Sequence, residues 1–260
     1  MKRVILIAAL LALCVADAQA QRVFGRSRLP GFYRQEEGAE WMPQELRTNV
    51  VLWLGQNFND GAITYDLSGN NNTGAVSGAS WSDGAHTFDG VNDLIGVNHA
   101  ANLVSSSSAT YMAWIKSNGT LASQVDFAVI MQKRISATDG FFMLVGNGEF
   151  IRYGFYDTEN TARYVDTSSL TGANGVWHHI AGVFDDSANT ITIYWDGVQV
   201  GQTPSITQTP KSNTSTLWIG ALFVNPTYSF QFKGGIDANI VVQTAVPSNT
   251  IYRIASKGRQ

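Results

Sequence analysis

The sequence predicts an all-β antiparallel sandwich closed by one short C-terminal helix. Short apolar or alternating runs recur from Val50 onward, separated by clusters of Gly, Asn, Asp and Ser. One stretch, Asn189 to Gly201, alternates, turns on Asp196-Gly197 and alternates again. Asp-Gly suits a two-residue type I′ turn, whose central positions both need positive φ. No heptad or short-period repeat competes with this strand pattern.

Met1-Lys2-Arg3, the apolar run Val4–Ala16 and the small-x-small triplet Ala18-Gln19-Ala20 make residues 1–20 a signal peptide, cut after Ala20. The apolar run is shorter than the roughly 17–25 residues a spanning helix needs, so no membrane span is expected in the mature chain. The protein is therefore expected to be secreted. Its one cysteine, Cys14, leaves with the leader, so the mature chain holds together without disulfides. The whole chain carries a formal net charge of −3, and losing Lys2, Arg3 and Asp17 makes it one unit more acidic. Such a balance excludes a nucleic-acid partner.

Residues 21–47 read as an irregular N-terminal arm, with Arg22, Arg26, Arg28 and Arg34 among Gly and Pro, then Glu36, Glu37 and Glu40. The domain follows over 48–260. Val50–Leu54 is continuously apolar, as a strand buried on both faces requires. His86–Asp89 and Leu94–Val97 flank the turn Gly90–Asp93. Ala109–Lys116, Phe127–Lys133, Phe141–Val145, Phe150–Tyr156 and Val176–Phe184 read as further strands. In the Asp-Gly hairpin, Trp195 is set opposite Val198 and Ile193 opposite Val200. Ser215–Gly220, Phe230–Phe232 and Ile240–Val242 complete the strands. Ser248–Ser256 reads as the helix, preceded by Pro247, capped by Ser248 or Asn249 and ended by Gly258.

Seven pieces in order resemble LamG-like jelly-roll domains, relatives of laminin G, pentraxins and concanavalin A-type lectins and glucanases. They are Asp66-Leu-Ser-Gly-Asn-Asn-Asn-Thr-Gly74, His86-Thr-Phe-Asp-Gly-Val-Asn-Asp-Leu-Ile95 (the family's F-D-G-x-x-D-Y-I hairpin), Ala113-Trp-Ile115, Trp177-His-His-Ile-Ala181, Tyr194-Trp-Asp-Gly-Val198, Leu217-Trp-Ile-Gly220 and Phe232-Lys-Gly-Gly-Ile-Asp237. Ala238 and Asn239 depart from the pattern, which places Glu after the closing Asp. The resemblance implies a two-sheet, concanavalin A-like jelly roll. It also implies a structural Ca²⁺ site at Asp66 and Asp237, with Asn70 and Asn72 adding amide or carbonyl oxygens.

Enzyme chemistry finds little support. Paired glycosidase carboxylates need a shared face, and the nearest spacing, Asp157 and Glu159, falls in a polar hairpin end. The leading expectation is a non-catalytic exported module that binds glycan or a cell-surface protein. Its aromatic candidates are Tyr153, Tyr156, Tyr164, Trp195 and Tyr228. The alternative is a surface, appendage or virion component that self-assembles as a homo-oligomer through the jelly roll and the arm.

Overall fold

The computed structural model describes residues 42–59, 61–105, 107–134, 138–171, 173–224 and 227–259. The expected leader and the arm up to Trp41 lie outside the described residues. In chain order the elements are β1 (Val50–Asn59), β2 (Ile63–Asp66), β3 (Gly74–Ser77), β4 (Ser80–Ser82), β5 (Ala85–Asp89), β6 (Leu94–Val97), β7 (Ala109–Ser117), β8 (Ala128–Lys133), β9 (Phe141–Gly146), β10 (Phe150–Tyr156), β11 (Ala162–Asp166), β12 (His178–Asp185), β13 (Thr190–Trp195), β14 (Val198–Thr203), β15 (Leu217–Ile219), β16 (Leu222–Val224), β17 (Thr227–Ser229), β18 (Lys233–Val242) and the helix α1 (Ser248–Ser256).

Sixteen of these strands join in one antiparallel ladder, with the central order β11-β10-β9-β8-β15-β6-β3-β2-β1-β18-β7-β12-β13-β14. The two expected sheets are thus two layers of a single ladder that curls back on itself. Its ends meet where the Thr203 hydroxyl donates to the Tyr164 carbonyl at 3.0 Å, tying β14 to β11. Between the layers, alternate side chains interdigitate. The rings of Phe155 (β10) and Phe184 (β12) lie 4.7 Å apart, and those of Tyr111 (β7) and Phe141 (β9) 5.4 Å apart. Fully burying each such aromatic or aliphatic side chain contributes about 1.5–3 kcal/mol. Gly182 is required here, because a Cβ would sit 2.2 Å from the Tyr153 ring.

The hairpin forms as the sequence predicts. Asp196 and Gly197 both take positive φ, at 49° and 81°, and Trp195 pairs with Val198. Ile193, however, pairs with Gly201 rather than Val200, because a register shift falls between Ile193 and Tyr194. The expected hairpin over Gly90–Asp93 is also corrected. β5 pairs with β18 and β4, whereas β6 pairs with β15 and β3, so this turn carries the chain from one layer to the other. The Asp93 carboxylate accepts the Asp89 N–H at 2.8 Å and fixes the crossing. Phe230–Phe232 is not a strand, and the closing element is one ten-residue strand, β18.

On the outer face of β7, β12 and β18, a second cluster holds Met112, Ala181, Ile240 and Val242. Ile251 and Ile254 of α1, with Met42 and Leu46 of the entering chain, cover it. The helix starts on Pro247, whose carbonyl accepts from Thr250 and Ile251, without a side-chain cap. Its last turn gives way to Gly258 at φ 75°. Arg253 and Thr250 both reach Glu45, fastening the helix to the turn Gln44–Leu46.

Two histidines are buried in the layers. His86 packs edge-on against Trp81 at 4.7 Å and His179 against Trp114 at 5.4 Å. Burial pulls the pKa of each down from 6.5 to about 4, with nearby Asp196 opposing the shift at His179. Between those two values the unfolded chain binds protons that the folded chain refuses, so stability rises with pH. Each shift is worth about 3 kcal/mol. The melting temperature is expected to fall as pH drops from 6.5 to 4, and a thermal melt series checks this. His179→Phe should flatten the decline, since it removes one of the two protonation sites.

Candidate functional site

Two outward-facing regions of the ladder differ in what covers them. α1 covers one. Across β8–β11, by contrast, the outer face forms a groove with a cavity volume of about 160 Å³. Alternation places it there. On β10, Ile151, Tyr153 and Phe155 enter the core, which turns Arg152 and Tyr156 outward. On β9, Phe141, Met143 and Val145 enter the core, so Phe142 and Leu144 face the groove. Tyr164 and Ala162 of β11 form its far wall.

Gln132 of β8 lies in the groove floor at 1 % exposure, and its amide nitrogen has no hydrogen-bond partner among the described residues. A buried donor left unpaired costs about 1–3 kcal/mol. A bulge between Val129 and Met131 sets this orientation, because Ile130 and Met131 both enter the core and the next residue is turned out. Two guanidinium groups border the floor. Arg134 lies over the rings of Phe142 and Tyr156, 5.8 and 5.5 Å from their centroids. Burial lowers its pKa, opposed by the charges of Tyr156 and Asp139. Arg152 stacks on Tyr164 at 4.0 Å and on Phe127 at 4.9 Å. It also donates Nε and Nη2 to both oxygens of Asp166, at 2.7 and 2.6 Å. That hydrogen bond raises its pKa.

The rim is strained. Phe127 and Phe230 both line the groove at positive φ, 61° and 57°, a region that costs a bulky residue on the order of 1–3 kcal/mol. The Phe230 carbonyl accepts the Val129 N–H at 2.7 Å, which locks the two segments together.

Of the five aromatics singled out in the sequence, Tyr156 and Tyr164 come together in this groove. Tyr153 does not. It is fully buried and donates its hydroxyl to the Ala109 carbonyl at 3.3 Å. Trp195 is half-buried and stacks on His178 at 4.4 Å, away from the groove. Tyr228 lies on β17, with its side chain outside the described residues. Gln132, Arg134, Arg152 and Phe142 were not singled out. Alternation in Phe141–Val145 and Phe150–Tyr156 was the available signal for Phe142 and Arg152.

The four expected calcium ligands form two separate constructions. Asp66 accepts from the Trp53 and Ser68 N–H groups through one oxygen, and from the Ser68 hydroxyl and the Asn72 N–H through the other, all at 2.8–2.9 Å. Asn70 and Asn72 turn their amide nitrogens onto the carbonyls of Val50 and Val51. Asp237 is 2 % exposed, accepts from the Ala238 N–H at 2.7 Å and lies 3.4 Å from the Arg259 guanidinium. It braces the β18 bulge, where Ala238 takes φ 46°. A hard cation needs oxygens that are free to turn toward it. Four donors already occupy Asp66, so a cation there would have to displace hydrogen bonds that hold the loop. Asp157 is likewise structural, being fully buried and bonded to the Glu159 and Thr161 N–H groups and to Arg163.

Asp66 is therefore a clasp that pins the loop after β2 to β1. Asp66→Ala is expected to cost about 3 kcal/mol, in the range of lost bonds to a charged acceptor. The loss of melting temperature should be equal in calcium and in chelator. A calcium-dependent rise in the wild type that the substitution abolishes would contradict the clasp.

Comparison with curated protein sequences gives no match. Among solved structures, the binding domain of Paraclostridial Mosquitocidal Protein 1 aligns with a TM-score of 0.64 at 18 % identity, covering 82 % of this chain and 53 % of that one. The receptor binding domain of botulinum neurotoxin C/D mosaic serotype gives 0.67 at 16 % identity, with 82 % and 52 % covered. The binding domain of botulinum neurotoxin DC in complex with SialylT gives 0.63 at 13 % identity, with the same coverage. The chain spans about half the length of these structures, and at such identities the likeness is one of fold. A laminin G family model, described as the concanavalin A-like lectin/glucanases superfamily, matches residues 89–251. With more than half of its length matched, the chain belongs to the concanavalin A-like lectin/glucanases superfamily.

Proposed function

We propose that this chain is an exported, non-catalytic module that binds glycan in the β8–β11 groove. The buried, unpartnered amide of Gln132 carries the reading. A folded chain bears the cost of a desolvated donor most readily where a ligand supplies the acceptor. Around that donor lie the faces and edges of Phe142, Tyr156 and Tyr164, which offer apolar area to the CH face of a sugar ring. Strained Phe127 and Phe230 close the two sides. Concave sites lined by aromatics with a few convergent polar groups are the usual form of small-ligand pockets. The SialylT complex of a toxin domain with this fold is consistent with a saccharide ligand.

Hydrolysis is not part of the reading. A glycosidase needs two carboxyl groups flanking the scissile bond, about 5–5.5 Å apart for retention or 6.5–9.5 Å for inversion. Among the described residues no Asp or Glu lines the groove. Asp157, the nearest candidate in sequence, is occupied within its own turn.

The reading is tested by screening the full chain on a glycan array and comparing wild type with Gln132→Leu. The substitution removes the unpaired donor without removing bulk. It is expected to leave the melting temperature unchanged or to raise it by a few degrees, about 2–4 °C per kcal/mol at this size. Glycan affinity should fall at least about tenfold, equivalent to one lost hydrogen bond in a buried site. An unchanged glycan profile in the variant, or no glycan retained by the wild type, would contradict it.

A further inference from the structure

The floor of the groove is one row of residues in register across four strands. Gln132 on β8 pairs with Phe142 on β9, Phe142 with Gly154 on β10, and Gly154 with Tyr164 on β11. Gly154 belongs to the outward set of β10 with Arg152 and Tyr156, because successive positions alternate between faces. It leaves the outer face bare at the middle of the row. No side chain can be added there, since a Cβ would lie 2.1 Å from the Arg163 carbonyl oxygen and 2.7 Å from the Tyr164 Cβ. The row beside it on one side carries Arg152, held between the rings of Tyr164 at 4.0 Å and Phe127 at 4.9 Å and bonded to Asp166. The row on the other side carries Arg134, stacked over Phe142 and Tyr156. Held this way, the two guanidinium groups are walls, and they stop the groove at both ends. Its floor is recessed between them, with Gln132 and Phe142 only 1 % and 2 % exposed.

Resting on the groove as the glycan site, we infer that it seats a single sugar ring at the end of a chain, with the remaining residues leading out into solvent. A groove that takes internal residues must run through, so that the chain can enter on one side and leave on the other. This one is stopped on both. The volume agrees: the cavity holds about 160 Å³, and one of about 150 Å³ takes a benzene ring, whereas drug-sized ligands fill about 300–1,000 Å³. One six-membered ring fits and a second does not. The Gln132 amide and the hydroxyls of Tyr156 and Tyr164 both donate and accept, as the several hydroxyls of a terminal sugar require.

The test is a chain-length series with the full chain. Glucose, galactose, mannose, xylose and N-acetylglucosamine are titrated as monosaccharides and as linear oligomers of increasing length, together with linear glucan, galactan, mannan and xylan. For each sugar bound, affinity counted per chain is expected to stay within about threefold from the monosaccharide to the polymer. A site that takes internal residues would instead gain in proportion to chain length, because every residue of a polymer is then a target. Arg134→Ala removes one of the two stops, and should let the polymer bind at least about tenfold tighter per chain than the monosaccharide. Affinity that climbs about tenfold or more with length in the wild type, and is lost in Gln132→Leu, would overturn the single-ring inference and leave the glycan site standing. No saccharide bound at all would overturn both. A polymer that gains nothing in Arg134→Ala would overturn the stop at that end.

Discussion

A strand has two faces, and a curled ladder can bury only one of them in its own core. That constraint organises the rest of this molecule. Where β7, β12 and β18 turn apolar residues outward, the chain spends its only α-helix among the described residues and the turn Gln44–Leu46 to cover them. Where β8–β11 turn Phe142, Leu144, Tyr156 and Tyr164 outward, the cover is partial and a groove remains. The difference between those two outer faces is what separates scaffold from candidate site. One is sealed by Ile251 and Ile254, and the other holds stacked guanidinium groups and an unpaired amide.

The carboxylates of the scaffold serve the backbone. Asp66, Asp157 and Asp93 each accept from nearby N–H groups and hold turns or crossings in place. Loops between strands would otherwise expose or strand those N–H groups, so the carboxylates act as part of the backbone's own accounting. Asp237 does the same for the β18 bulge, beneath an arginine that also lies over Trp177 at 4.3 Å. Gln132 is the contrast: a desolvated donor, in a cavity, with nothing bound to it among the described residues.

Much of the fold was legible because period-two alternation and turn chemistry are local. Asp196-Gly197 announced its own turn, and Pro247 and Gly258 bracketed the helix. The errors are equally physical. Gly90–Asp93 looked like a hairpin because nothing local distinguishes a turn within one layer from a crossing between two. For the site, Tyr156 and Tyr164 could be named but not separated from Tyr153, which differs from Tyr156 only in parity along β10. Gln132 was out of reach. Unbroken alternation puts it on the side of Ile130, in the core, and only the bulge at Val129–Met131 reverses it. A bulge is set by tertiary pairing, which the sequence does not display.

The proposed function turns on the Gln132 amide as the donor that a ligand satisfies. The most direct measurement follows its side-chain NH₂ resonances by heteronuclear NMR as a glycan that the protein retains is titrated in. These signals are expected to shift and saturate together with backbone signals from β8–β11, while those of the Asp66 loop stay in place. Saturable binding that moves residues elsewhere and leaves the Gln132 signals fixed would contradict it.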